Sequence, residues 1–207
     1  MTLFVLQFFP NFLLIFCRIT AFFVVAPLFS SKTVPVKFKV GIAFFMTLIT
    51  FTSLGMEEPI PIDTDFYLSI FREVAMGLVL GYLALLFFTA VQVAGSFIDF
   101  QIGFALANVI DPMTGAQAPI FGNFKYYLAI LMFLALNAHH FLIQGIMNSY
   151  EFVPLSGELF ASMESGSVSD FIITSFSTMF MLAFQMAAPF VVVVFMLDVV
   201  LGIMAKT

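Results

Sequence analysis

Between Val74 and Ile98 the chain runs without a single charged residue. Four other stretches are built the same way. They are Leu3 to Phe29, interrupted only by Arg18; Val40 to Met56; Tyr126 to Ile146, broken at Asn137–His140; and Phe171 to Met204, with Asp198 near its end. Each is at or near the roughly 20 apolar residues that cross a bilayer's hydrocarbon core. Inside that medium a spanning helix satisfies its own backbone hydrogen bonds, so the sequence predicts an all-α membrane protein. Composition agrees: 62% of residues are hydrophobic and 9% are charged, against roughly a quarter charged in soluble domains. Residues 1–207 read as one integral membrane domain with no internal repeat.

The charges between the apolar segments orient them. The first loop holds Lys32, Lys37 and Lys39 and no acid, whereas the next holds Glu57, Glu58, Asp63 and Asp65 and no base. The connection from Asn148 to Asp170 is again purely acidic, and Lys206 follows the fifth segment. Lysines mark the cytoplasmic side, which puts the N-terminus outside and the C-terminal end of this chain inside. The N-terminus lacks a basic leader region, so the first segment reads as an uncleaved membrane helix. Tyr126, Tyr127 and Tyr150 flank the fourth segment as expected interfacial anchors. A net charge of −5 speaks against nucleic acid.

Enzyme motifs are absent: the sequence has no phosphate loop, nucleophile elbow or paired-cysteine site. His139 and His140 are adjacent, and neighbours on a helix point apart, so one metal cannot easily use both. No catalytic residue, cofactor or metal is expected.

Ionisable residues inside apolar runs carry more information, because a charge in lipid demands a partner. They are Arg18, Arg72 with Glu73, Asp99 and Asp198. Two readings stand: interhelical pairing, such as Arg18 with Asp198 or Arg72 with Asp99, or an ion-coupling site in a carrier. Gly77 and Gly81 form a GxxxG step, which lets another helix approach closely and reads as an assembly signal.

The stretch Gly103 to Phe124, GFALANVIDPMTGAQAPIFGNF, fits neither helix nor solvated linker. Its glycines and prolines end helices, yet its filling is apolar. Broken backbone at membrane depth survives only when buried in protein or lining a cavity. A re-entrant or plug-like loop meets both conditions; a connection lying against the membrane is the other reading.

These residues resemble a known family. CRITAFFVVAPLFSSKTVPVKFKVGIAF, VAGSFIDFQIGFALANVIDPMTGAQAPIFGNF, FLALNAHHFLI, SYEFVPL and LDVVLGIMAKT together resemble the FliR/SctT proteins, the R-type subunits of the flagellar and type III secretion export gate. The DFQIGF…DP and NAHH variants look like the flagellar branch. The resemblance implies a non-enzymatic subunit whose hydrophobic hairpins pack in a helical hetero-oligomer. Its partners would be P-type and Q-type subunits (FliP, FliQ), with FlhB and FlhA nearby, in the bacterial inner membrane at the flagellar basal body. Unfolded flagellar proteins would pass through it. The resemblance also implies that residues 106–122 form the internal plug, with Leu106, Val109, Ile110, Asp111, Pro112, Met113, Gly115, Pro119, Ile120, Phe121 and Gly122 as its gate residues. Family members continue past the region matching GIMAKT with further apolar helices. The rival functions are a small ion-coupled carrier using Asp99 and Asp198, and an inert membrane scaffold.

Overall fold

The computed structural model describes residues 2–30, 34–54, 59–104, 119–155 and 167–206. These form helices and connecting turns, with no strand among the described residues. In chain order the helices are α1 (Thr2–Val25), α2 (Pro27–Ser30), α3 (Val36–Leu54), α4 (Thr64–Ile102), α5 (Ile120–Ala135), α6 (His139–Phe152) and α7 (Ser167–Lys206). Four of them, α1, α3, α4 and α7, are long and apolar enough to cross a membrane, and α5 with α6 supplies a fifth candidate as a broken span. The break falls at Asn137, whose φ of 54° is the left-handed conformation that asparagine tolerates better than most residues.

Two helices exceed the lengths read from hydropathy. The apolar run Val74–Ile98 becomes a 39-residue helix, about 58 Å long, that begins ten residues before Val74. It continues through Arg72 and Glu73 because both charges are neutralised inside the protein, as described below. α7 has 40 residues and is about 60 Å long.

The chain divides into two compact units, Met1–Leu85 with Ala138–Phe171, and Leu86–Asn137 with Ile172–Thr207. In the first unit, the apolar face of α1 (Ile15, Ile19, Phe22, Phe23) meets Ala43 of α3, Ala84 of α4, and Ile146 and Tyr150 of α6. Phe12 presents its ring edge-on to Phe44 and Phe51 of α3, at centroid distances of 5.7 and 5.8 Å. Such edge-to-face pairs suit the aromatic quadrupole.

The GxxxG step has its partner within this unit. A Cβ on Gly77 would run into the backbone oxygen of Arg18 and lie 2.8 Å from Ala21 Cβ; one on Gly81 would lie 2.8 Å from Val25 Cβ. The helix that approaches is α1 of the same chain, which corrects the assembly reading of Gly77 and Gly81. Tyr150 is likewise not an interfacial anchor. It is buried in this core with its ring under the Arg18 guanidinium.

In the second unit, Phe88 of α4 packs against Phe133 and Tyr126 of α5, at 5.2 and 6.3 Å. α7 contributes a narrow stripe, Met179, Ala183 and Ala187, spaced by four residues as one helix face requires. The rest of α7 is half-buried or exposed. From Phe190 to Met204 its side chains include exposed Phe190, Phe195, Met196, Leu201 and Met204.

Candidate functional site

The described residues that flank the segment 105–118 form a compact neck in the second unit. α4 ends at Gly103, whose φ of +85° and N–H bond to Phe100 O (3.2 Å) close the helix in a conformation that glycine adopts without penalty. Phe104, the next residue, stacks on Phe121 with ring centroids 5.9 Å apart. Entrance and exit of the segment are thus held together by one aromatic pair.

The exit is the start of α5. Pro119 occupies its N-cap and carries no side-chain acceptor for the free N–H groups of the first turn. Asp99 of α4 supplies it instead. Its Oδ1 accepts from Phe121 N and its Oδ2 from Gly122 N, both at 3.1 Å. These are the two positions that an ordinary N-cap side chain would serve. Asp99 is only 3% exposed, so its charge is offset by these donors and by the positive end of the α5 dipole. Gly95, one turn earlier, lets the α5 backbone come close enough: a Cβ there would strike Gly122 Cα and lie 2.7 Å from Gly122 N. Gln92 Nε2 then donates to Asn123 Oδ1 at 3.1 Å. Gln92, Gly95 and Asp99, three and four residues apart, thus meet the start of α5 along one face of α4.

The other polar cluster lies in the first unit. Arg18 is fully buried and binds Glu73 through two bonds, Nε to Oε2 at 2.5 Å and Nη2 to Oε1 at 2.9 Å. Its remaining donors reach Ser149 Oγ and Val153 O, each at 3.0 Å, and its guanidinium carbon sits 3.9 Å from the Tyr150 ring centroid. Arg72 Nη2 adds a bond to Glu73 Oε1 at 3.3 Å and donates to Leu155 O. Two guanidiniums therefore bracket one carboxylate and hold the carbonyls that follow α6, where the helix dipole favours positive charge.

These contacts correct the proposed pairings of Arg18 with Asp198 and of Arg72 with Asp99. Glu73 is the partner of both arginines, Asp99 bonds to backbone amides, and Asp198 is exposed on α7. An ion-coupling site built on Arg18, Asp99 and Asp198 loses its first two members to these commitments.

Over residues 9–207 the sequence matches the family described as bacterial export proteins, family 1. The flagellar biosynthetic protein FliR of Bacillus subtilis is 45% identical over 98% of this chain and 78% of its own length. The chain belongs to that export family. FliR of Escherichia coli is 27% identical, covering 91% of this chain and 71% of its own length. Yop proteins translocation protein T of Yersinia pestis is 26% identical over 91% of this chain and 72% of its own length.

Within this export-family chain, Leu106, Val109, Ile110, Asp111, Pro112, Met113 and Gly115 lie outside the described residues. Pro119 is described as an N-cap, and Ile120, Phe121 and Gly122 are the first turn of α5 rather than loop. The neck itself escaped the sequence reading. Its one signal was a lone aspartate followed, some twenty residues on, by a proline that starts a helix without a cap.

Among the described residues the buried hydroxyl of Tyr150 has no hydrogen-bond partner, while its ring serves Arg18. Tyr150→Phe removes only the orphaned group, so the thermal midpoint of the purified protein will stay level or rise. A fall of several degrees would show that the hydroxyl has a partner in the assembled protein.

Proposed function

We propose that this chain is a non-enzymatic subunit of a type III export gate in the bacterial inner membrane. It forms and gates the channel for unfolded flagellar proteins, together with P-type and Q-type subunits (FliP, FliQ) and in contact with FlhB and FlhA. The orientation proposed from the lysines, N-terminus outside, belongs to the same reading, as does a plug role for residues 106–118.

One observation carries the assembly part of this reading. The apolar stretch of α7, Phe171–Met204, is about 50 Å long, and only 6% of its most hydrophobic window is buried. A hydrocarbon core of roughly 30 Å covers about 39 Å of helix even at a tilt of 40°. About 10 Å of bare apolar helix is left over, and only protein can cover it in water. An isolated carrier or inert scaffold has no such cover.

Co-expression with P-type and Q-type subunits, followed by native mass spectrometry of what a tag on this chain recovers, tests it. A single defined complex with one copy of the chain is expected. A stable particle of this chain alone would overturn the reading. In the complex, deletion of residues 106–118, which spares Pro119 and α5, should raise ion leak through the membrane.

A further inference from the structure

We infer that a groove on α3 holds one acyl chain of an anionic phospholipid, with Lys37 at its mouth bound to the lipid phosphate. The inference rests on α3 crossing the membrane and stands apart from the gate reading.

The groove comes from the order of side chains along α3. Residues four apart share a ridge on a helix, so Val40–Phe44 and Lys37–Gly41–Phe45 form two neighbouring ridges. Between them, with Phe16 of α1 as a further wall, lies an open groove of about 510 Å³. Gly41 is the gap that deepens it. A glycine in mid-helix weakens the helix, and at Gly77 and Gly81 the approach of α1 accounts for one. At Gly41 no described atom lies within 4 Å of an added Cβ, so the space serves no described neighbour. Apart from Lys37 the lining is apolar, and Phe44 and Phe45 are exposed among the described residues.

Depth and charge choose the occupant. Lys37 lies in the first turn of α3, and Phe45 is about 12 Å further along the axis. One leaflet supplies about half of a hydrocarbon core of roughly 30 Å, so the groove runs nearly as deep as one acyl chain. Its mouth is positive. Lys37 is exposed and makes no ion pair among the described residues, Lys39 follows it, and the sequence has no acid before Glu57. A lipid phosphate supplies the missing anion, whereas a zwitterionic headgroup brings its own cation to the same place.

The test is native mass spectrometry of the tagged full chain, in whichever particle it is recovered, with phosphatidylglycerol or phosphatidylcholine of matched chains added. Phosphatidylglycerol should bind about tenfold tighter than phosphatidylcholine. Gly41→Leu, whose added Cβ meets no described atom, should lose one bound phosphatidylglycerol per copy of this chain. Lys37→Gln leaves the groove open and should weaken phosphatidylglycerol about fivefold, with phosphatidylcholine unchanged. Equal binding of the two lipids by the parent would overturn the inference, as would the same lipid count in Gly41→Leu and parent. A particle that Gly41→Leu breaks apart, from a parent without lipid preference, gives the groove to a partner helix and overturns it too. Should Gly41→Leu yield no particle, Lys37→Gln decides: an undiminished preference for phosphatidylglycerol sinks the groove site. A chain recovered alone with its lipid refutes the gate and keeps the groove, and a defined complex without the lipid does the reverse.

Discussion

Arg18→Met should destabilise the chain by about 3–5 kcal/mol, because it leaves Glu73 buried without its bidentate partner. Against a total stability on the order of 5–15 kcal/mol, that loss removes most recoverable protein. Arg72 offsets it only in part, through a single contact to Glu73 at 3.3 Å. The double variant Arg18→Met/Glu73→Leu removes both charges and should regain much of the loss, since an apolar pair of similar volume in a buried site is often as stable as the ion pair. Yield and thermal midpoint of the purified export complex are the measurements. A single variant as stable as the parent would mean that Glu73 is held chiefly by Arg72. A double variant no better than the single would mean that Ser149 and Val153 O need the guanidinium for their own sake.

Gly77→Ala comes next in size. Alanine gains up to about 1 kcal/mol over glycine in a helix interior. Here the added methyl collides with the backbone oxygen of Arg18, an atom that cannot swing aside as a side chain would, and crowds Ala21 Cβ. Overpacking of this kind costs about 1–3 kcal/mol, so the net effect is a loss, and it pushes α1 away from α4 just where Arg18 meets Glu73. Gly145→Ala is the control. No described residue lies within 4 Å of its new methyl, so helix propensity alone acts and the thermal midpoint should rise by a few degrees. If both substitutions lower it equally, close approach of α1 is not what Gly77 provides.

The two variants also mark how far the sequence could be read. Helices were legible because membrane-length apolar runs admit little else, and the break at Asn137 showed as NAHH. Helix ends were not. Hydropathy stops α4 at Val74, since it counts Arg72 and Glu73 as exposed charges and has no means of seeing Arg18, fifty-five residues away, neutralise one of them. The list of ionisable residues was right in naming Arg18, Glu73 and Asp99 as buried and wrong in pairing them, because opposite sign alone does not choose among partners; helix register does. Asp198 failed for another reason: an acid inside an apolar run is buried only if the helix around it is, and α7 is not. Gly77 and Gly81 announced a close neighbour without saying whose. For Asp99 the missing information was that Pro119 cannot cap its own helix, a local deficit that becomes visible only once α4 and α5 lie side by side.

The length of α7 has a consequence for the cell. A helix that outruns the bilayer on its apolar side cannot be stored as a free subunit: each surplus copy exposes a sticky surface that lipid does not reach. On the export-gate reading proposed above, production of this chain is tied to that of its neighbours, and copies made in excess become substrates for membrane proteases. On that same reading its abundance is set by assembly, so raising its synthesis alone adds turnover.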